Sequence, residues 1–163
     1  MPPPLAYFLT WTTYGTWLPG DDRGWIDGHS AAWHMAIQAP DPLKQAQTRS
    51  LMTEPELWLT PSMRPIVEAT IEENCRHHGW TLHAASARSN HVHVVVSAGD
   101  VRPERVLNTF KAYCTRSLKR LPSMAGRTKW WTEDGSKGYL NTEDSLRQAI
   151  LYVQGQDVSW IKD

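Results

Sequence analysis

The chain has 163 residues, 40% of them hydrophobic and 21% charged, with lysine plus arginine equal to aspartate plus glutamate at 17 each. That is enough chain for one domain with a proper core, and it contains no apolar run long enough to cross a bilayer. Two cysteines, Cys75 and Cys114, and an N-terminus of Met1-Pro2-Pro3-Pro4 without the basic and apolar regions of a secretion signal lead us to expect a reduced, cytoplasmic protein without a disulfide framework.

In chain order, Ala6 to Thr13 reads as a strand, with Tyr7, Leu9 and Trp11 on one face and Phe8, Thr10 and Thr12 on the other. A turn-rich stretch follows from Gly15 to Gly28. Residues 20–59 read as a long insertion or loop region within one domain spanning 1–163, with a short helix near Lys44 to Met52. Thr60 and Pro61 have the chemistry of a helix start, and the helix then runs through an apolar stripe to Gly79. Cys75, His77 and His78 do not converge as zinc ligands, because adjacent helical residues point about 100° apart.

Trp80 to Arg88 and His91 to Ser97 read as a hairpin around the turn Ser89-Asn90. In its second strand, His91, His93, Val95 and Ser97 share one face, while Val92, Val94 and Val96 share the other. At about 3.3 Å of rise per residue the two histidines stand roughly 6.6 Å apart, within reach of one divalent cation. A His-x-His pair also occurs as ordinary strand residues, so the next helix carries the argument. It spans roughly 103–120 and has a core stripe of Leu107, Phe110, Cys114 and Leu118. Tyr113 falls about 120° from the centre of that stripe, among Thr109, Arg116, Ser117 and Arg120.

Residues 101–130 hold eight lysines and arginines against one glutamate, whereas residues 1–60 hold three against six acids. Such a basic segment suits a phosphate backbone, although a solvated helix face has the same composition. Arg88, Arg105, Lys111, Arg116, Arg120 and Lys129 are the candidate phosphate contacts. Trp130 and Trp131, two of nine tryptophans, are candidates for stacking on unpaired bases. Short strands then flank the turn Glu133 to Ser136. A last helix, capped by Asn141 or Thr142, has Leu146, Ile150, Leu151 and Val153 as its apolar side. The order β-α-β-β-α-β-α gives an α+β fold: an antiparallel sheet with helices mainly on one face.

A phenol with a pKa near 10 is a weak nucleophile at neutral pH, unless a cation neutralises the phosphate it attacks and stabilises the leaving oxygen. Two histidines and a helical tyrosine thus make a coherent DNA nicking-and-joining site.

Three segments, Thr10-Trp11-Thr12-Thr13-Tyr14-Gly15-Thr16-Trp17, Arg88-Ser89-Asn90-His91-Val92-His93 and Phe110-Lys111-Ala112-Tyr113, resemble the HUH single-tyrosine transposases, most closely the REP-associated tyrosine transposases. The resemblance implies a ferredoxin-like sheet, a Mg²⁺ or Mn²⁺ site on His91 and His93, and Tyr113 as nucleophile. It also implies hairpin-bearing single-stranded DNA from repeat sequences as substrate, and a monomer or a homodimer. Related enzymes carry a metal-binding glutamine one turn after the tyrosine; counted from Tyr113 that place is Ser117, a weaker ligand. Two alternatives stand beside this reading: a domesticated DNA-binding module without strand transfer, and a histidine-site metalloenzyme acting on small molecules.

Overall fold

In the computed structural model, residues 3–25 and 37–155 are described. The elements are β1 (Ala6–Thr12), α1 (Pro42–Ser50), α2 (Arg64–His78), β2 (Thr81–Ala87), β3 (His91–Ser97), α3 (Pro103–Leu118), β4 (Ser136–Leu140) and α4 (Glu143–Val153). The four strands form one sheet in the order β2-β3-β1-β4 with every neighbouring pair antiparallel, the ferredoxin-like arrangement. Its two central strands are the two most apolar, as burial on both faces requires.

Alternation sorts those strands into two cores. Tyr7, Leu9 and Trp11 of β1 and Val92, Val94 and Val96 of β3 pack with Val67, Ile71 and Cys75 of α2 and Val106, Leu107, Phe110, Cys114 and Leu118 of α3. On the opposite face, Ala6, Phe8, Ala84, Val95 and Leu140 pack with Ala149 and Val153 of α4. Two helices therefore cover one face and α4 lies across the other. The α3 stripe expected from the sequence is buried along its whole length.

Local chemistry sets the helix ends. Thr142 and Ser145 form a reciprocal capping box at the start of α4, with Glu143 and Asp144 placed in the first turn where the helix dipole favours negative charge. Gly79 closes α2 in the left-handed conformation at φ 71°. The start of α2 departs from expectation: Thr60 to Met63 is a turn, and the helix begins at Arg64 with Pro65 in its first turn. Either proline is compatible with a helix start, and the sequence offered both. Leu151 also departs, since it is exposed on the outer side of α4 while Tyr152 packs inward.

Contacts tie the described residues of the 20–59 region to the rest of the fold. Pro42–Ser50 is the short exposed helix expected near Lys44, capped by Asp41. Residues 53–59 lie along the end of the sheet: Leu57 N–H donates to Tyr14 O at 2.9 Å, and Leu59 N–H to Ser89 O at 2.7 Å. Residues 26–36 of this stretch lie outside the described residues.

Candidate active site

The site is built on the α4 face of the sheet. Antiparallel register places Ser86, His93, Thr10 and Ser136 in one row across all four strands, and His91 beside Thr12 in the next. Alternation brings the side chains of both rows to the same face as Phe8 and Val95. His93 is buried, with its Nδ1 at 2.9 Å from Thr10 Oγ1. His91 Nδ1 lies 2.8 Å from Asn90 Oδ1. The two imidazole centroids are 4.6 Å apart. An oxygen on each Nδ1 leaves Nε2 as the nitrogen that could hold a metal.

Tyr152 completes the cluster. Its ring centroid is 5.2 Å from that of His93 and 5.9 Å from that of Phe8, and Phe8 meets His93 edge-on at 5.7 Å. α4 brings it there because Ala149 and Val153 are seated on Phe8 and Val95, which turns the side of the helix carrying Tyr152 toward β3. Arg88 is the basic residue at the margin, its Nε donating to Ser86 Oγ at 2.9 Å, one strand away from His93.

The sheet itself stands between Tyr113 and the histidines. Tyr113 lies on α3, whose buried residues pack on the Trp11 and Val92 side, and it is exposed beneath the Arg116 guanidinium at 4.9 Å. Ser117 is also away from the histidines: its Oγ accepts a hydrogen bond from Thr70 at 2.9 Å in the seam between α2 and α3. Tyr14 and Tyr139 are elsewhere too. Tyr14 Oη accepts from Thr53 N–H at 3.0 Å, and Tyr139 packs edge-on against Tyr7 at 5.6 Å.

The DNA-contact candidates divide in the same way. Trp130 is 4% exposed and belongs to the main core, where it has no face to offer a base. Trp131 is half-buried, edge-on to Trp11 at 6.3 Å, and its Nε1 donates to Thr115 Oγ1 at 2.8 Å. Lys111 is turned inward: its ammonium donates to Thr132 O at 3.0 Å and to Asp134 O. Desolvation pushes its pKa down to about 8 against the opposing pull of Asp134. That contact ties α3 to the turn before β4, where Gly135 is required because a Cβ would come within 2.7 Å of Thr10 O. Arg105 and Arg116 are exposed on α3, and Arg120 and Lys129 are exposed in the segment that follows, with the Lys129 N–H bonded to the Glu54 carboxylate.

Tyr152 was absent from the sequence-derived candidates. The sequence does carry a signal for it: Gln156 follows at four residues, the tyrosine–glutamine spacing that Tyr113 lacks.

An open antiparallel sheet bearing a pair of oriented imidazoles and a tyrosine on one face defines an α+β protein with a candidate site for cation-assisted chemistry. Residues 53–154, well over half of the chain, match the family described as Transposase IS200 like, and the chain belongs to that family. By family it is a transposase, a class of DNA-binding and DNA-cleaving proteins of DNA recombination that is generally dependent on divalent metal. No curated protein matches the chain. Among the described residues no helix is long and apolar enough to cross a membrane.

The donor chemistry fits a divalent cation in part. Two imidazoles held through Nδ1 could supply two nitrogen ligands, and among the described residues no cluster of three or more histidine, cysteine, aspartate or glutamate side chains forms. The remaining ligands would be oxygens of the substrate, of water or of a side-chain amide.

Proposed function

We propose that the protein nicks and rejoins single-stranded DNA, on substrates bearing hairpins, with Tyr152 as the nucleophile in place of Tyr113. The observation that carries this reading is the position of the Tyr152 ring, 5.2 Å from His93 on the same face of the sheet. Attack by the phenolic oxygen on a backbone phosphorus forms a Tyr–O–P bond and breaks the bond to the 3′-oxygen. The phenol loses its proton and the departing 3′-oxygen gains one. A phosphodiester is replaced by a phosphodiester, so a different 3′-hydroxyl can run the step backwards and join new DNA.

His91 and His93 would hold Mg²⁺ or Mn²⁺ through Nε2, and the bound cation would neutralise the phosphate and stabilise the leaving oxygen. Arg88 offers a fixed positive charge beside the same phosphate. Counted from Tyr152, the glutamine that related enzymes carry one turn after the tyrosine is Gln156, which lies outside the described residues. This spacing removes the need for Ser117 as a ligand. Arg105, Arg116, Arg120 and Lys129 remain as contacts to more distant phosphates, on the outer surface of α3 and the following loop.

The test is a covalent-adduct assay with hairpin-bearing single-stranded DNA and Mn²⁺, comparing wild type with Tyr152→Phe and Tyr113→Phe. Loss of all detectable protein–DNA adduct is expected in Tyr152→Phe, and near-wild-type adduct in Tyr113→Phe. The reverse pattern would return the role to Tyr113.

A further inference from the structure

The Thr10-Trp11-Thr12-Thr13 segment precedes the stretch matched to the family, yet it makes the bonds that orient both histidines. Trp11 points into the dry core, stacked on Phe110 at 6.2 Å, and fixes the register of β1. Thr10, one residue earlier, therefore points to the other face, directly opposite His93, and its hydroxyl meets Nδ1 at 2.9 Å. Thr13 is fully buried at the end of the strand. Its N–H and its hydroxyl both donate to Asn90 O, at 2.9 and 3.2 Å. Asn90 is itself buried, and its Oδ1 faces His91 Nδ1 at 2.8 Å. The same tetrapeptide thus reaches one imidazole directly and the other through Asn90.

We propose that Thr10 and Asn90 are positioning residues that fix His93 and His91 as Nδ1–H tautomers. This inference goes beyond the reading of the histidines as cation ligands and rests on it for its catalytic meaning. An amide oxygen can only accept, so the Nδ1 of His91 must carry the hydrogen. The Thr10 hydroxyl, which could take either role at the Nδ1 of His93, is assigned the acceptor role in this proposal. In both rings the proton is then on the nitrogen turned toward the protein, and the lone pair is on Nε2, where a cation would be held. A valine at position 10 would fill the same volume and keep the same strand propensity, so the hydroxyl oxygen alone carries the effect. Loss of such an orienting partner typically costs 10–100-fold in metal affinity, as about that order is seen for outer-shell substitutions generally.

The experiment uses the full chain, labelled with ¹⁵N-histidine and free of metal, at a pH where the imidazoles are neutral. Long-range ¹H–¹⁵N correlations report which ring nitrogen bears the proton, and a parallel Mn²⁺ titration reports affinity. In wild type both histidines should be Nδ1–H. Thr10→Val should shift His93 toward the Nε2–H form and weaken Mn²⁺ binding by about 10–100-fold, and Thr10→Ser should restore both. Asn90→Ala should do the same to His91, with Asn90→Asp restoring it. An unchanged His93 tautomer and unchanged Mn²⁺ affinity in Thr10→Val would overturn the proposal. The cation reading fails separately: if wild type and a His91→Ala/His93→Ala variant bind Mn²⁺ alike while the tautomer still shifts in Thr10→Val, the positioning role stands and the metal role falls.

Discussion

On the α2/α3 side of the sheet, Trp11, Val92, Val94, Phe110 and Trp130 pack into a continuous apolar layer. On the α4 side, their immediate sequence neighbours Thr10, Thr12, His91 and His93 form rows of hydrogen-bonding side chains. The strands β1 and β3 supply Trp11, Val92 and Val94 to one face and the four polar residues to the other, and within each strand only the parity of the residue number separates them. A slip of β3 by one residue against β1 would flip β3 alone, burying its imidazoles against α3 and turning Val92 and Val94 toward α4. The bulk on the dry side therefore does more than stabilise the fold. By making every other register costly, it holds the polar rows of the opposite face in place. The chemistry can then sit on a thinly covered face, where α4 contributes a smaller cluster and leaves room beside it.

The contrast can be broken most forcefully at Trp130, which the sequence offers as a base-stacking residue and the structure places in the dry layer. Trp130→Ala should destabilise the protein by about 3–5 kcal/mol in urea unfolding, the range for emptying a buried aromatic site. Trp130→Phe should cost clearly less, since its ring refills most of the volume. DNA affinity per folded molecule should be nearly unchanged in both. A drop in affinity without a loss of stability would put Trp130 at the DNA instead.

A second comparison concerns where positive charge meets DNA. Arg88 lies beside the histidine row, whereas Arg105 and Arg116 lie on the outer surface of α3 and Arg120 in the turn just after it. Replacing these last three arginines by alanine should flatten the salt dependence of single-strand binding by about 2 in the log–log slope, at about 0.7 per phosphate contact. Cleavage at saturating DNA should persist. Arg88→Ala should change the slope by only about one such contact and slow cleavage itself. An unaltered slope in the triple variant would mean that this basic surface faces solvent in the complex.

The smallest effect expected comes from Lys111, which pins the Thr132–Asp134 turn to α3. Burial pushes its pKa down to about 8 from 10.5. Between those two values the unfolded chain holds a proton that the folded chain has released, so the contribution of Lys111 to stability rises with pH across that window. Urea midpoints of wild type and Lys111→Met should diverge in favour of wild type as pH rises from about 8 to about 10. A constant difference would show that the ammonium keeps its proton in the folded state.

Much of this protein was legible in the chain. The alternation of His91-Val92-His93-Val94 set a strand with two unlike faces, because a period of two permits no other sorting of those side chains. The spacing of Leu107, Phe110, Cys114 and Leu118 set the buried side of α3, and the Thr142 cap set the start of α4. The Tyr152–Gln156 spacing marks one tyrosine in the chain, but the tertiary structure alone set it beside the histidines. A helical wheel ranks Tyr113 by its own neighbours, on the edge of an apolar stripe in a basic setting, and says nothing about which side of the sheet the helix will cross. That side depends on how the β1-α2-β2 and β3-α3-β4 connections pack, and both helices lie against the Trp11 face. Tyr152 is 59 residues from His93 in sequence and 5.2 Å from it in space, because α4 is the element that returns across the other face. The fates of Trp130 and Lys111 have the same cause. Local composition marks a residue as fit for DNA, but burial is a property of the assembled layers, and it gave Trp130 to the core and Lys111 to two backbone carbonyls.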